Sequence, residues 1–390
     1  MPFRVLVVDD SNFFQHRLKD IINEHPELKV VGIASNGREA IDKAAELQPD
    51  IITMDFEMPV MDGVTAIKHI MSNRRVPILM FSSLTYEGAK ITLDALAAGA
   101  LDFIPKDFAE VSRNSEVLKR KLHERLITLA GSGSRPAPPP VSSFRDQPAP
   151  ISTIGAVGDI RSTQSSFRPI SAPSPTPVSR PVPVAHEEPT KSSGADNYRL
   201  KNKPKILVIG ASTGGPVALA EVLIALPANF PLPIVLVQHM PENFTKAFAE
   251  RLNKQCHIRV REAVDGDQLQ PGLALLAPGG KQLMLDKRNG GSVRVLPDDE
   301  RVNYKPSLDI TFGSAANNYG DKVLGVVLTG MGSDGCNGAR LLKEAGSSLW
   351  SQDEASCVIY GMPMAVARAG LTDKVLSLKD IGPRLVREVM

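Results

Sequence analysis

The sequence predicts two α/β domains, each a parallel sheet wound with helices, joined by a segment with no core of its own. Three observations predict it: length, proline distribution, and short β-branched runs alternating with amphipathic helical patterns. A chain of 390 residues with 42% hydrophobic content exceeds one domain and can fill two cores. Thirteen of its 31 prolines fall between Gly131 and Thr190, in a stretch dominated by Pro, Ser and Ala with almost no apolar periodicity. Residues 126–199 therefore read as a flexible linker between domains at 1–125 and 200–390. On both sides of it the strand and helix patterns alternate, which is how parallel sheets are built.

In the N-terminal domain, strands are expected at Val5–Val8, Val30–Ala34, Ile51–Met54, Ile78–Phe81 and Leu101–Ile104. Five strands separated by helical patterns make a (βα)5 domain. The first helix carries Phe14, Leu18, Ile21 and Ile22 on one stripe facing the sheet, and Glu116–Leu129 reads as an amphipathic helix closing the domain. In the C-terminal domain the clearest strands are Ile206–Ile209, Ile234–Val237 and Val323–Leu328, each running into a polar or glycine-rich turn, as in a doubly wound, mainly parallel sheet.

Composition excludes several classes. Lys and Arg number 45 against 43 Asp and Glu, so no basic footprint for nucleic acid or an anionic membrane is present, and no basic recognition helix is visible. Three cysteines, Cys256, Cys336 and Cys357, without a CxxC pair, match neither a disulfide framework nor a structural zinc site. No apolar run approaches the ~18 residues of a membrane helix, and Val5–Val8 follows the first residues with no charged leader region. The expected location is the cytoplasm, with no membrane insertion.

Asp9 and Asp10 follow the first strand, Asp55 the third, Ser82 the fourth and Lys106 the fifth. Residues just past the carboxyl ends of parallel strands gather at one edge, where open α/β sheets bind ligands. Clustered carboxylates need a hard cation, and Mg²⁺ takes one or two carboxylates together with phosphate oxygens and waters. Asp55 can then attack a phosphoryl donor while Mg²⁺ and Lys106 offset the developing charge. Any one of these acids alone reads more simply as a polar strand-end residue. The full set, with the run Asp55-Phe56-Glu57-Met58-Pro59-Val60-Met61-Asp62-Gly63 and Pro105-Lys106, resembles the receiver domain of two-component response regulators over residues 1–125. That resemblance implies that Asp55 is the phosphoacceptor, Asp9 and Asp10 are metal ligands alongside it, and Ser82 is the hydroxyl that tracks the phosphoryl group. It further implies Lys106 as the ion-pair partner, Phe103 as an aromatic switch, and a histidine kinase as phosphodonor. Pro105 departs from the pattern, because many receivers carry the proline after the lysine.

Gly210-Ala211-Ser212-Thr213-Gly214-Gly215 follows an apolar strand and precedes Pro216 and a helical pattern, the strand-turn-helix context of a nucleophile elbow. Taken alone the turn is equally a phosphate-binding or merely tight βα turn, though it is neither GxGxxG nor a Walker loop. A serine needs a base, and only His239 and His257 lie beyond residue 200. His239 directly follows the strand Ile234–Val237, whereas His257 sits in an alternating pattern and is expected at a half-buried strand position. The loop Thr329-Gly330-Met331-Gly332-Ser333-Asp334-Gly335 after the strand Val323–Leu328 carries one acid, Asp334, able to orient the imidazole or to cap the next helix.

The order Ser, His, Asp differs from the Ser, acid, His order of ordinary α/β-hydrolases. With the GASTGG, QHM and TGMGSDG motifs, it resembles the catalytic domain of chemotaxis protein-glutamate methylesterases over residues 203–390. Further resemblance lies in Asn303-Tyr304-Lys305-Pro306-Ser307-Leu308-Asp309 and in Ser351-Gln352-Asp353-Glu354 through Gly361-Met362-Pro363. It implies Ser212 as nucleophile, His239 as general base, Asp334 as its orienter and the Met331 N–H as oxyanion donor. The reaction so implied hydrolyses glutamyl methyl esters on chemoreceptor cytoplasmic helices and deamidates particular glutamines, with no metal in the hydrolytic step. The alternatives are a receptor-docking regulator without chemistry, a transcriptional regulator, or the same chemistry on receptors serving another output.

Overall fold

The computed structural model describes residues 1–106, 115–132, 200, 202–288, 291–297 and 302–390. Its N-terminal sheet contains β1 (Phe3–Val8), β2 (Leu28–Ala34), β3 (Ile51–Asp55), β4 (Ile78–Ser82) and β5 (Asp102–Pro105). They lie in the order β2-β1-β3-β4-β5, with every neighbouring pair parallel. Helices α1 (Asn12–Asn23), α2 (Gly37–Leu47), α3 (Gly63–Asn73), α4 (Tyr86–Ala97) and α5 (Glu116–Ser132) cover it. Alternation along β1 shows why both faces must be covered. Leu6 and Val8 pack into the cluster holding Ala40, Ala66 and Ile67, and Val5 and Val7 into the one holding Phe14, Leu18, Leu122 and Leu126. Each such buried Leu, Ile or Val contributes about 1.5–3 kcal/mol. Helix α5 continues through Ser132, so residues 126–132 of the segment assigned to the linker are helical, while 133–199 lie outside the described residues.

The C-terminal sheet has seven strands in the order β14-β13-β12-β6-β7-β9-β8, again with all neighbouring pairs parallel. They are β6 (Ile206–Ala211), β7 (Ile234–Gln238), β8 (Arg259–Glu262), β9 (Leu273–Leu276), β12 (Val323–Val327), β13 (Ser348–Gln352) and β14 (Lys374–Leu376). An antiparallel hairpin of β10 (Gln282–Asp286) and β11 (Ser292–Leu296) stands apart from the sheet. The helices are α6 (Gly215–Ile224), α7 (Phe244–Gln255), α8 (Leu308–Tyr319), α9 (Cys336–Glu344), α10 (Met362–Arg368) and α11 (Leu378–Val389). Leu207 and Ile209 of β6 pack with α6, and Ile206 and Val208 with Phe312 and Ala315 of α8. From β6 the chain winds outward through β7 and then returns to lay β12 on the opposite side of β6. That reversal is the topological switch point, where crevices form outside the carboxyl ends of the strands. Among the described residues no helix is long and apolar enough to cross a membrane.

Candidate active site

The switch point between β6 and β12 is where three of the sequence-selected residues meet. Ser212 follows β6 in a turn that α6 closes. Gly214 stands there at φ +76°, and a Cβ on it would lie 2.7 Å from Val358, so only glycine suits the position. The Ser212 N–H donates to the Thr329 carbonyl at 3.0 Å, tying the turn to the loop after β12. That loop crosses the serine closely: a Cβ on Gly330 would lie 2.7 Å from Ser212 Cβ. Its neighbour Met331 is therefore beside the nucleophile candidate, and the Met331 N–H donates to no backbone acceptor among the described residues.

His239 follows β7, and its Nε2 meets Asp334 Oδ2 at 2.8 Å. Asp334 is almost fully buried and rests on the N-terminus of α8. Its Oδ1 accepts from Ser307 Oγ at 2.8 Å and from the Asp309 N–H at 3.1 Å, and its Oδ2 accepts from the Leu308 N–H at 2.7 Å. Free N–H groups at a helix start carry partial positive charge and stabilise an anion. Burial pushes the Asp334 carboxyl up, but the His239 bond and charge and the Leu308 and Asp309 N–H groups outweigh it, leaving it below the ordinary carboxylate range. Asp334 does not cap the following helix: Gly335 holds the N-cap of α9, with no side-chain capping bond. Its oxygens are spent on His239 and α8 instead.

With Nε2 bonded to Asp334, the remaining nitrogen is Nδ1, which is buried and has no hydrogen-bond partner. The structure thus joins His239 to Asp334 and leaves the Ser212 hydroxyl unbonded to the imidazole. Catalytic hydrogen bonds in ligand-free sites are often open and tighten with substrate. His257 is not at a half-buried strand position. Helix α7 runs to Gln255 and β8 starts only at Arg259, so His257 is exposed in the bend between them.

Three residues of this site stood in the sequence only as members of the resembling motifs, with no role assigned to them. Gln238 Nε2 donates to the Ser212 carbonyl at 2.9 Å and the His239 carbonyl at 3.3 Å, pinning the loops after β6 and β7 together. Ser307 holds Asp334, and Tyr304 lies flat against the His239 ring. The signal for Tyr304 and Ser307 was their place in the Asn303–Asp309 motif, and for Gln238 its place beside His239.

The second cluster forms at the switch point of the N-terminal sheet, between β1 and β3. Asp9, Asp10 and Asp55 offer carboxylate oxygens that all lie within 4.8 Å of one another. Lys106 Nζ stands 2.8 Å from both Asp9 Oδ2 and Asp55 Oδ2. Burial pushes the Asp55 carboxyl up to about 6 against the pull of Lys106, and raises Asp9 as well. Burial lowers the Lys106 ammonium, but its bonds to Asp55 and Asp9 prevail and leave it raised. Two of the three acids share one lysine, and the buried Asp9 Oδ2 accepts no hydrogen bond of good geometry. This set of hard oxygen donors fits Mg²⁺. Ser82 is buried, donates to the Ser83 and Gly88 carbonyls and accepts from Thr92.

Phe103, packed in the cluster that also holds Met80 and Ala89, and its neighbour Asp102 also meet the C-terminal domain. The Phe103 ring stacks on Phe244 of α7, centroids 4.6 Å apart and planes 4° from parallel. Asp102 Oδ2 accepts from Thr213 Oγ1 at 2.7 Å and pairs with Arg125 of α5. Around them Tyr86 bonds Glu250, Arg251 bonds Asp94, and Asn243 Nδ2 donates to the Leu84 carbonyl at 3.3 Å. Met331, Val358 and Ile359 pack with the apolar face of α5.

Residues 5–116 match the response regulator receiver domain and residues 207–385 the CheB methylesterase. A crystal structure of the Thermotoga maritima CheB methylesterase catalytic domain is 42% identical and covers 47% of this chain and 98% of its own, at a TM-score of 0.46. Among curated proteins, protein-glutamate methylesterase/protein-glutamine glutaminase 1 of Saccharophagus degradans is 54% identical, covering 100% of both chains. The corresponding protein of the group 1 operon of Pseudomonas putida is 56% identical over 99% of both. With two domains matched and full-length relatives above half identity, the chain belongs to the protein-glutamate methylesterase/protein-glutamine glutaminase family.

Proposed function

We propose that this chain is a phosphorylation-activated serine carboxylic-ester hydrolase of the cytoplasm. It demethylates glutamyl methyl esters on chemoreceptor cytoplasmic domains and deamidates selected glutamines there. The observation that carries the chemistry is the buried His239–Asp334 pair, held at a helix start with Nδ1 unbonded, on a residue whose N–H donates to the Ala211 carbonyl next to Ser212. His239 Nδ1 takes the Ser212 proton as Oγ attacks the glutamyl carbonyl carbon. Asp334 stabilises the imidazolium so formed, and the Met331 N–H receives the oxyanion. The imidazolium then protonates the leaving oxygen, and methanol departs; for a glutamine, ammonia departs instead. Water, deprotonated by His239, hydrolyses the acyl-serine to glutamate and regenerates the hydroxyl.

Regulation in this reading runs through the receiver. A chemotaxis histidine kinase supplies the phosphoryl group to Asp55, where Asp9, Asp10 and Asp55 would hold Mg²⁺ and Lys106 offsets charge. Bound there, Mg²⁺ would compensate charge during phosphorylation; the ester hydrolysis runs on Ser212, His239 and Asp334. The Asp102–Thr213 bond, one residue from Ser212, supports a docked, inhibited state that phosphorylation releases. The reading is tested by incubating the protein and a phosphodonor with methylated receptor membranes and sequencing receptor peptides by mass spectrometry. Loss of methyl from glutamyl esters and conversion of glutamine to glutamate at the same class of positions are expected. Unaltered peptides would refute it.

A further inference from the structure

Tyr304 lies against the imidazole of His239 with ring centroids 4.4 Å apart and planes 15° from parallel. We propose that Tyr304 is a positioning residue for the reaction, whose ring fixes the plane of His239 so that Nδ1 faces the Ser212 hydroxyl. The need for such a residue follows from the torsions. Rotation of an imidazole about Cβ–Cγ is a broad, soft motion, and the single bond from Nε2 to Asp334 fixes one point of the ring but not its plane. A flat neighbour on one face supplies the missing constraint, and aromatic faces at this separation attract beyond their buried area.

The tyrosine is itself held by the groups that hold the acid. Its carbonyl accepts from Gln282 Nε2 at 2.7 Å, and Gln282 Oε1 accepts from the Ser307 N–H at 2.8 Å. Ser307 in turn donates to Asp334. One buried glutamine therefore sets the stacked ring and the carboxylate in register. At its other end the Tyr304 hydroxyl lies 2.6 Å from where a Cβ on Gly332 would stand, so the ring also abuts the backbone next to Met331. Burial, with the charge of Asp334, keeps the phenol above its ordinary pKa, so the stacked ring stays neutral while the imidazole gains and loses its proton. A misplacement of the base by about 1 Å can cost a hundredfold in rate, which is the scale on which this constraint acts.

The inference rests on the reading of His239 as the base, and the test separates the two. Full-length Tyr304→Phe and Tyr304→Leu are compared with wild type, with phosphodonor, on methyl-labelled receptor membranes. Phenylalanine preserves the plane and is expected within twofold of wild type. Leucine removes it and is expected to lower kcat by about ten- to a hundredfold while KM stays within twofold. Carbon-13-labelled histidine gives a readout without turnover: the ring protons of His239 carry a ring-current shift that Tyr304→Phe keeps and Tyr304→Leu loses. If Tyr304→Leu fails to melt like wild type, Tyr304→Met, flexible and of similar size, takes its place with the same expectation. A folded Leu or Met variant with native kcat, or a Phe variant as slow as Leu, overturns the proposal. Native rates in His239→Ala would overturn the catalytic reading beneath it, an outcome the ring-current shift cannot imitate.

Discussion

Thr213, the residue after the nucleophile candidate, donates its hydroxyl to Asp102 at 2.7 Å, across the boundary between the two domains. Asp102 is buried and immediately precedes Phe103, so a displacement of β5 on phosphorylation would act on this bond and on the Phe103–Phe244 stack together. Asp102→Asn should weaken the docked state. Losing a hydrogen bond to a charged acceptor, partly replaced by the amide, costs on the order of 1 kcal/mol, a rise of about fivefold in hydrolysis without phosphodonor. The phosphorylated rate should change less than twofold. An unchanged basal rate in a folded variant would remove Asp102 from the regulation.

Removing the receiver should have the same direction and a larger size. A fragment from Asn202 to Met390 keeps the seven-stranded sheet and both flanking clusters, so it should fold, hydrolyse faster than the unphosphorylated whole and ignore phosphodonor. A folded fragment no faster than the unphosphorylated chain would mean that the receiver activates rather than inhibits.

Ser212→Ala and His239→Ala should each bring hydrolysis nearly to background, and the double variant should be no worse, because nucleophile and base act as one unit. Asp334→Asn should retain more, and Ser307→Ala more still, losing about three- to tenfold since two backbone donors to Asp334 remain. The Ser307→Ala loss should be the same from pH 6 to pH 9, as Asp334 stays ionised there. A loss confined to the acid side would show that Asp334 titrates in that range.

Cation binding to the receiver should depend on pH through Asp55. Burial raises this carboxyl to about 6 in the folded chain from 3.8 unfolded, so the folded state holds the proton more tightly. The sign follows: Asp55 favours folding as pH falls from about 6 toward 3.8 and carries its full desolvation penalty above about 6. A divalent cation relieves that penalty and competes with the proton. Mg²⁺ should therefore raise the receiver's Tm more at pH 7.5 than at pH 5, and Asp55→Asn should show a smaller and flatter response. An equal Mg²⁺ shift at both pH values in wild type would contradict the assignment.

The fold was legible because strands buried on both faces are continuous apolar runs, such as Val5–Val8 and Ile206–Ile209, ended by acids and glycines. The expected strands fall within the observed ones, except that Leu101 precedes β5 and Leu328 follows β12 by one residue each. Residues at strand ends could be gathered from the sequence since topology alone assembles them. Gln238, Tyr304 and Ser307 could not, because their importance comes from where side chains point across loops, and nothing in local periodicity encodes that. His257 misled for a related reason, since an alternating pattern does not say where a helix stops and a strand begins.

The most direct measurement is methanol released from methyl-labelled receptor membranes by full-length wild type and Ser212→Ala, each with Mg²⁺ and with or without a small-molecule phosphodonor. Wild type should release methanol slowly alone and much faster with phosphodonor, and Ser212→Ala should stay near background in both conditions. Release by Ser212→Ala at wild-type rates would contradict the account.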